Sequence, residues 1–345
     1  MHVPFVDLAA AYESQKAEID SAVQRVLAGG WYVLGEEVRR FEEKFAAFCD
    51  SKHAVGVASG TDALLLALKA FDIGAGDDVI TVSFTAVATA AAIEMSGARP
   101  IFVDVDPHTY TLDPSQLADA LTANSKAIIA VHLYGQPADM DAILSFARAH
   151  DLIVIEDCAQ ASGAAYKCRM AGSMGHAAAF SFYPTKNLGA VGDGGAVVCQ
   201  NARTAERLRE LRQYGWRVRY ISDEVGYNSR LDELQAAILR VKLQNLADDN
   251  EARRRAALQY SQMLRDLPLL LPQERTNSEH VYHLYVVQTA KREALRAFLA
   301  QRDVGTAVQY PAAVHLQPAY ARHGYERGSL PVSERLADTV LSLPM

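Results

Sequence analysis

The chain has 345 residues, half of them hydrophobic and 22% charged, with a formal net charge of −7. This composition is typical of a globular protein with a large core, and the negative charge argues against nucleic acid or an anionic membrane as the main partner. The N-terminus has no basic region followed by an apolar run, and no apolar stretch is long enough to span a bilayer, so we predict a cytoplasmic protein.

From residue 54 onward, short apolar runs alternate with segments of helix length such as 61–71 and 140–150. Several runs are apolar on both faces, which is typical of a sheet covered by helices on both sides. The alternation predicts an α/β protein. The predicted strands are 54–58, 79–83, 101–103, 127–132, 153–157, 177–182 and 196–200.

The connection between the last two predicted strands, 183–195, departs from this alternation. It has the length of a crossover helix, but its glycines and Pro184 make a helix unfavourable. We therefore predict that the two strands pair antiparallel, which places Lys186 at the end of the sheet. In open α/β sheets, the strand ends carry the chemistry.

After about residue 230 the pattern becomes a long helical tract that extends through "ELQAAILRVKLQNLADDNEARRRAALQYSQML". It is predicted to lead into a smaller C-terminal domain with strands near 282–288 and 306–309. We place the domain boundary so that 1–238 form the large domain and 239–345 the small one.

Three features have the chemistry that a cofactor would need. Asp157 ends a predicted strand, where it is either a helix cap or ion pair, or the partner of a protonated ligand nitrogen. Ser59, Gly60 and Thr61 precede an apolar helix and leave N–H groups free for an anion, although such turns also occur without a ligand. Lys186 is either a surface lysine or a Schiff-base amine. Together the three fit pyridoxal 5′-phosphate.

The four cysteines lack metal-ligand spacing, so we predict free thiols and no metal site.

Four segments resemble, in order and spacing, the signature segments of the DegT/DnrJ/StrS sugar aminotransferases, which are fold-type I pyridoxal-phosphate enzymes. The segments read "SGTDALLLAL", "EDCAQASGA", "SFYPTKNLGAVGDGGAVV" and "GYNSRLDELQAAIL". The resemblance covers nearly the whole chain. It implies a large domain with a mixed, mostly parallel seven-stranded sheet and a smaller α+β C-terminal domain.

The resemblance also implies roles for single residues. Lys186 bonds the cofactor aldehyde as a Schiff base and moves the proton, and Asp157 pairs with the pyridine nitrogen. Gln160 hydrogen-bonds the ring hydroxyl. The implied phosphate ligands are Ser59, Gly60, Thr61 and Ser181, with Asn228 contributed by a neighbouring subunit, so a homodimer with shared active sites is predicted.

The implied reaction moves an amino group from an amino acid, L-glutamate, to a nucleotide-linked keto sugar. "SFYPTKNLGAVGDGG" is most like members acting on 3-keto sugars, which favours C3 of a dTDP-3-keto-6-deoxyhexose. A 4-keto or UDP-linked sugar, or a non-catalytic regulatory protein that binds the cofactor, remains the alternative. The predicted substrate contacts are Tyr32, Tyr183, Arg230, Tyr310 and His315, and Arg230 has a second interpretation as an ion pair with Asp232 or Glu233.

The sequence departs from the family pattern at two places. Ala86 stands where many members carry an aromatic residue that stacks on the cofactor ring, so stacking is expected from elsewhere, with Phe84 as a candidate. The sequence ends at "LSLPM", where relatives usually continue through another helix, so the last segment is expected to be naturally short or trimmed.

Overall fold

A computed structural model describes residues 2–345, and its centre is a seven-stranded sheet with the order β1-β9-β8-β5-β4-β2-β3. Three smaller sheets join β10 with β11, β12 with β6 and β7, and β13 with β14. The strands are β1 (His53–Val57), β2 (Asp78–Val82), β3 (Arg99–Val103), β4 (Ser125–Val131), β5 (Ile153–Asp157), β6 (Ala165–Tyr166), β7 (Arg169–Met170), β8 (Ala177–Ser181), β9 (Gly195–Cys199), β10 (Trp216–Val218), β11 (Ile221–Ser222), β12 (Ser278–Glu279), β13 (Tyr285–Gln288) and β14 (Val340–Leu343).

Helices cover the sheet and continue into the C-terminal part of the chain. Short 3-10 segments occur at Pro114–Gln116, Leu133–Gly135, Val314–Leu316 and Pro318–His323. The α-helices are α1 (Leu8–Glu13), α2 (Lys16–Gly29), α3 (Glu36–Phe48), α4 (Gly60–Ala70), α5 (Val87–Ser96), α6 (Leu117–Ala120), α7 (Met140–Ala149), α8 (Ala202–Leu211), α9 (Glu233–Leu243), α10 (Leu246–Leu264), α11 (Arg292–Ala300) and α12 (Pro331–Thr339).

The large sheet is mixed, as predicted, because a single strand runs against the others. β9 pairs antiparallel with both β1 and β8, whereas β2, β3, β4, β5 and β8 pair parallel. All seven predicted strands are present: β5 has the predicted boundaries, and no boundary of the others is shifted by more than two residues. The predicted antiparallel pairing across the 183–195 connection is confirmed by the register of Ser181 opposite Gly195.

Burial explains why these segments form a layered sheet. Every residue of β2, β8 and β9 is buried, so both faces of these strands are covered by other parts of the protein. The helix α4 packs on one side with seven buried residues between Ala63 and Ala70. On the other side a second apolar cluster contains Phe41 and Phe45, and the Phe182 ring meets both of them edge to face. The two clusters hold the strand ends rigidly in place.

The C-terminal part confirms some predictions and corrects one. The helical tract is interrupted at Gln244 and Asn245, so it forms α9 and α10 rather than one helix. The predicted strand near 282–288 is present as β13. The prediction of a strand at 306–309 is wrong. In this segment Ala307 alone pairs with β14, through an isolated bridge to Ser342.

The boundary predicted between residues 238 and 239 falls inside α9, so no irregular linker marks it. The N-terminus also crosses this division, because Val3 exchanges backbone hydrogen bonds with Asp303 and Gly305. The apolar cluster around the large sheet includes Val286 and Leu336 of the C-terminal part. The division into two domains stays a prediction.

Two further properties of the described residues bear on the predictions. No helix within residues 2–345 combines the length and apolar character needed to cross a bilayer. All four cysteines are free thiols, as predicted: Cys49, Cys158 and Cys199 are buried, and Cys168 is exposed.

Candidate active site

The N-terminus of α4 meets the end of β8 at the carboxyl edge of the sheet. Ser59 is the N-cap, and its Oγ accepts a hydrogen bond from the Asp62 N–H at 3.1 Å. The first N–H groups of a helix have no partner within the helix, so Gly60 and Thr61 present donors to an anion here. The Ser59 hydroxyl only accepts in this cap, so its O–H can still donate to a phosphate, and its predicted phosphate contact stays a prediction.

This approach of helix to strand requires glycine at two positions. A Cβ at Gly60 would lie 2.6 Å from the Ser181 Cβ, and one at Gly195 would lie 2.3 Å from the Ser59 carbonyl oxygen. Both distances are shorter than non-bonded carbon and oxygen atoms tolerate. The glycines of β9 and α4 therefore bring Ser181 against the helix end, as the cofactor hypothesis requires.

Asp157 ends β5 and is buried. Its Oδ2 accepts a hydrogen bond from the Thr89 hydroxyl at 2.8 Å, and its Oδ1 accepts one from the Ala159 N–H at 3.1 Å. Burial raises the pKa of Asp157, and these two hydrogen bonds and the charge of Lys186 oppose the rise. The carboxylate is thus held in one orientation and retains free acceptor capacity.

Lys186 lies in the 183–195 connection, where it is half-buried and lines a cavity of about 870 Å³ between the N-terminal helices and α9 and α10. Burial lowers the pKa of its amine to about 8, and the negative charge of Asp157 opposes this shift. Within residues 2–345, no carboxylate oxygen lies within 4.0 Å of the amine. An amine with this pKa is in part neutral near pH 8 and so can act as a nucleophile or base.

Gln160 and Tyr310 form a hydrogen-bonded pair beside Asp157. Gln160 Oε1 accepts the Tyr134 N–H at 2.7 Å, and Gln160 Nε2 donates to the Tyr310 hydroxyl at 2.9 Å. Tyr134 also donates its hydroxyl to the Gln309 carbonyl oxygen. Burial raises the pKa of Tyr310 to about 12, so it stays a neutral hydroxyl. The structure therefore brings Tyr310 and Gln160 together.

The family model described as the DegT/DnrJ/EryC1/StrS aminotransferase family matches residues 13–345. The chain belongs to the DegT/DnrJ/EryC1/StrS aminotransferases.

Individual DegT/DnrJ/EryC1/StrS relatives are similar over the whole length. A dTDP-3-amino-3,4,6-trideoxy-alpha-D-glucose transaminase of Streptomyces venezuelae is 49% identical, covering 99% of this chain and 91% of that protein. A pleiotropic regulatory protein of Geobacillus stearothermophilus is 45% identical, covering 100% of this chain and 94% of that protein. The crystal structure of S. venezuelae DesV in complex with a ketimine intermediate superposes with a TM-score of 0.98 at 49% identity, covering 100% of this chain and 93% of that one.

Pyridoxal phosphate is the cofactor of this family, and the residues present fit it. The close contact of Gly60 with Ser181 places the Ser181 hydroxyl beside the free N–H groups of α4, which suits a phosphate, and the buried Asp157 suits a protonated ring nitrogen. Lys186 has a lowered pKa and no acidic partner within 4.0 Å in the described chain, as a Schiff-base lysine requires.

The ring-stacking position differs from the aminotransferase pattern. Ala86 is half-buried and is the N-cap of α5. Phe84, the expected substitute, is fully buried and packs edge to face against Tyr134 and Tyr310, with ring centroids 6.4 Å apart in both cases. Phe84 thus supports the Tyr134 and Tyr310 rings from within the core.

The predicted substrate residues have different surroundings. Tyr32 and Tyr183 are exposed, at 49% and 52% of their surface, so both are available for contacts outside the chain. Arg230 stacks over the Tyr214 ring at 5.9 Å. Its alternative role as an ion pair with Asp232 or Glu233 is not supported, because within residues 2–345 no carboxylate oxygen lies within 4.0 Å of its guanidinium. Glu233 accepts the N–H groups of Gly35, Glu37 and Val38 instead.

His315 is a correction to the predicted substrate contacts. Its ring is buried, with Nδ1 2.6 Å from the Ser83 hydroxyl and Nε2 3.2 Å from Glu334 Oε1. Both ring nitrogens are therefore occupied by protein partners, and in this structure His315 fixes the loop after Tyr310 rather than offering a group to a sugar.

Asn228 is exposed on the surface of the chain. Its backbone forms an isolated bridge with Gln213, and the next residue, Ser229, is buried against Asp62 at 2.7 Å. The predicted contact of Asn228 with a neighbouring subunit's phosphate is compatible with this exposure and stays a prediction.

Sequence reasoning missed three residues at this site. Thr89 orients Asp157 from α5. Arg253 of α10 and His283 line a second cavity beside the Lys186 connection. All three come from segments that are distant in sequence, and no local pattern distinguishes them from ordinary helix or core residues.

Proposed function

We propose that this aminotransferase moves the amino group of L-glutamate to C3 of a dTDP-linked 3-keto-6-deoxyhexose. One observation supports the proposal most directly: burial lowers the pKa of the Lys186 amine to about 8, and the charge of the buried Asp157 acts on this amine. An amine in this setting can exchange a proton with a bound amino acid and with a bound keto sugar. The same group thus serves both halves of a ping-pong transfer.

Pyridoxal phosphate supplies, when bound, an aldehyde that takes up the donor nitrogen and a ring that withdraws electrons from the neighbouring carbon. The chain's own residues do the rest. Asp157 holds positive charge at the ring nitrogen, and Gly60, Thr61 and Ser181 bind the phosphate. Lys186 removes the α-proton of the donor and later delivers a proton to the former keto carbon of the sugar. L-Glutamate leaves as 2-oxoglutarate, and the sugar carbonyl oxygen leaves as water.

Two arguments support C3 of the sugar as the position of transfer. Family members that act on 4-keto sugars often have "SFH" before the lysine and "GEGG" after it. The segment "SFYPTKNLGAVGDGG" has neither. The 49% identical S. venezuelae relative is named for a 3-amino sugar linked to dTDP. A 4-keto or UDP-linked substrate is the alternative within the same chemistry.

The proposal includes a cytoplasmic homodimer with shared active sites. Free thiols are typical of a reducing compartment, and all four cysteines are unpaired. Exposed apolar side chains support a subunit interface: Tyr220 and Ile221, on the β10–β11 hairpin, are 72% and 59% exposed, and Trp31 is 66% exposed.

The test follows the visible absorption band of the cofactor bonded to Lys186. L-Glutamate alone should abolish the band, and a dTDP-3-keto-6-deoxyhexose added afterwards should restore it in step with amino-sugar formation. A band that persists with every amino donor contradicts the transfer. If only a 4-keto or a UDP-linked sugar restores the band, that sugar is the acceptor in place of the dTDP-3-keto-6-deoxyhexose.

A non-catalytic regulatory role is the second candidate, because the 45% identical relative of G. stearothermophilus is named a pleiotropic regulatory protein. Such a protein would keep the cofactor site without turnover. It predicts a band that amino donors leave unchanged, so the same titration separates the two functions.

A further inference from the structure

Arg253 on α10 is half-buried without an acidic partner. Its Nη1 donates to the Tyr282 carbonyl oxygen at 3.2 Å, and within residues 2–345 no carboxylate oxygen lies within 4.0 Å of the guanidinium. Two other partly buried arginines are paired: Arg275 with Asp139 at 3.3 Å and Arg240 with Glu37. Burial lowers the pKa of Arg253, and the negative charge of Asp249, four residues earlier on α10, opposes this shift.

Arg253 lines a cavity of about 480 Å³ that opens beside the Lys186 connection. This volume lies in the usual range of roughly 300–1,000 Å³ for small-molecule sites. Tyr183 and Thr185, which flank Pro184 just before Lys186, form part of the wall. No aspartate or glutamate lines this cavity, so Arg253 provides its only charged side chain apart from any contribution of His283.

His283 completes the polar part of this wall. It is 7% exposed, and its Nδ1 is buried without a hydrogen-bond partner. Burial, and then the positive charges of Lys186 and Arg253, lower its pKa well below the usual range, so the imidazole is neutral. A neutral imidazole offers one donor and one acceptor nitrogen. Arg253 and His283 line the same cavity, and Arg253 Nη1 lies 3.5 Å from the His283 carbonyl oxygen.

We propose that Arg253 and His283 form the subsite that binds a carboxylate of the amino-acid donor. The inference rests on the proposed function, because it assigns one substrate of that reaction to this cavity. A planar guanidinium matches a carboxylate in two parallel hydrogen bonds, and the buried nitrogen of His283 gains the partner that the chain does not supply. The doubly charged pyrophosphate of a nucleotide sugar fits less well, since the cavity holds one cation.

The larger cavity that contains Lys186 differs in charge. Its three acidic side chains, Asp7, Asp20 and Asp249, are matched by three basic ones, Lys186, Lys242 and Arg253. The cations of the larger cavity therefore share it with acidic groups, whereas no aspartate or glutamate side chain lines the smaller cavity. Arg253 lines both cavities, so a donor held by its carboxylate in the smaller one remains next to the amine that must remove its α-proton.

The experiment compares Arg253→Gln with Arg255→Gln in the holoenzyme. Arg255 lies on the same helix with its side chain 63% exposed and pairs with Glu251 at 3.7 Å, so it controls for changes to α10. Binding is measured by calorimetry with glutarate, a dicarboxylate that has no amine to react. We expect Arg253→Gln to weaken glutarate binding by at least about tenfold, the loss typical of one charged hydrogen-bond pair. Arg255→Gln should bind as the wild type does.

Half-reaction kinetics provide the second readout. Arg253→Gln should raise KM for L-glutamate at least about tenfold and change KM for the keto sugar far less. Equal glutarate affinity in the two variants overturns the proposal, and so does an equal rise of both KM values. If Arg253→Gln does not fold, Arg253→Lys is tested instead, because it keeps the positive charge but cannot form two parallel hydrogen bonds. A glutarate affinity equal to that of the wild type would then contradict bidentate binding.

The two hypotheses fail separately. If the wild type does not react with L-glutamate, the proposed function fails, while the glutarate titration still decides whether Arg253 binds a carboxylate. If the wild type transfers the amino group and Arg253→Gln does so with the same KM for L-glutamate, only the subsite is wrong.

Discussion

Glu156 and Asp157 are neighbouring carboxylates at the end of β5, and strand alternation sends them into different surroundings. Glu156 Oε2 lies 2.9 Å from His132 Nε2, and Glu156 Oε1 accepts the Gly175 N–H at 2.6 Å. Burial raises the pKa of Glu156, but these partners outweigh it and the net shift is downward. Glu156 is satisfied by the protein, whereas Asp157 has acceptor capacity left for a ligand.

Substituting each carboxylate in turn separates these roles. Asp157→Asn should lower the amination rate at least about a hundredfold, because the ring nitrogen loses its negative partner. Glu156→Gln should instead lower the free energy of unfolding by about 1–3 kcal/mol, because buried donors lose a charged acceptor. Rates and urea unfolding of both variants check this, and an equal rate loss in the two would contradict the assignment.

The lowered pKa of Lys186 predicts how the stability of the cofactor-free protein depends on pH. The amine is protonated in both states below pH 8, where its buried charge is destabilising by on the order of 1–3 kcal/mol. Between about pH 8 and pH 10.5 the amine is mostly neutral in the folded protein but still protonated in the unfolded chain. The free energy of unfolding therefore rises with pH across this range.

Lys186→Met removes this charge and gives the corresponding test. The variant should be more stable than the wild type at pH 7, and the difference should shrink as the pH rises from about 8 toward 10.5. Chemical unfolding of the two cofactor-free proteins at pH 7 and pH 10 measures it. A difference that does not change with pH would show that the amine titrates normally.

At the scale of elements, the sequence predicted the parts on which the site depends. The apolar runs located all seven strands of the sheet, and the glycine-rich connection predicted the antiparallel β8–β9 pair. The break between α9 and α10 was not predictable, because "VKLQNLADD" contains neither glycine nor proline. The segment 306–309 is apolar enough for a strand, but it finds a pairing partner only at Ala307.

The junction of α4 with β8 gives a prediction about cofactor affinity. Gly60→Ala places a Cβ 2.6 Å from the Ser181 Cβ, so the helix end must move away from the phosphate. We expect affinity for pyridoxal phosphate to fall at least about tenfold. Gly29→Ala is the control, since nothing lies within 4 Å of its added Cβ. Titration of the cofactor-free variants measures both, and equal affinities would mean that the helix end does not bind the phosphate.

At the scale of the whole molecule, the site combines segments that only the fold brings together. Lys186 and Asp157 were recognisable because each lies within a motif, and Gln160 is only three residues beyond Asp157. Thr89 and His283 were not, because an isolated threonine on a helix and a histidine in an apolar segment look like structural residues in a sequence. Their roles depend on contacts over long separations in the chain.

The proposed sharing of sites between subunits can be tested by mixing inactive variants. Lys186→Ala and Asn228→Ala should each be impaired as homodimers. In a mixed dimer, one site combines the intact Lys186 of one chain with the intact Asn228 of the other, so activity should return to about half of wild type per dimer. If both residues act within one chain, mixing restores nothing.

The central claim is that the chain transfers nitrogen from an amino acid to a sugar carbon. The most direct measurement supplies nitrogen-15 L-glutamate and a dTDP-3-keto-6-deoxyhexose, and locates the label by NMR. The account predicts a nitrogen-15 atom bonded to C3 of the sugar and formation of 2-oxoglutarate, both lost in Lys186→Ala. Label that stays in L-glutamate with every keto sugar offered would contradict the claim.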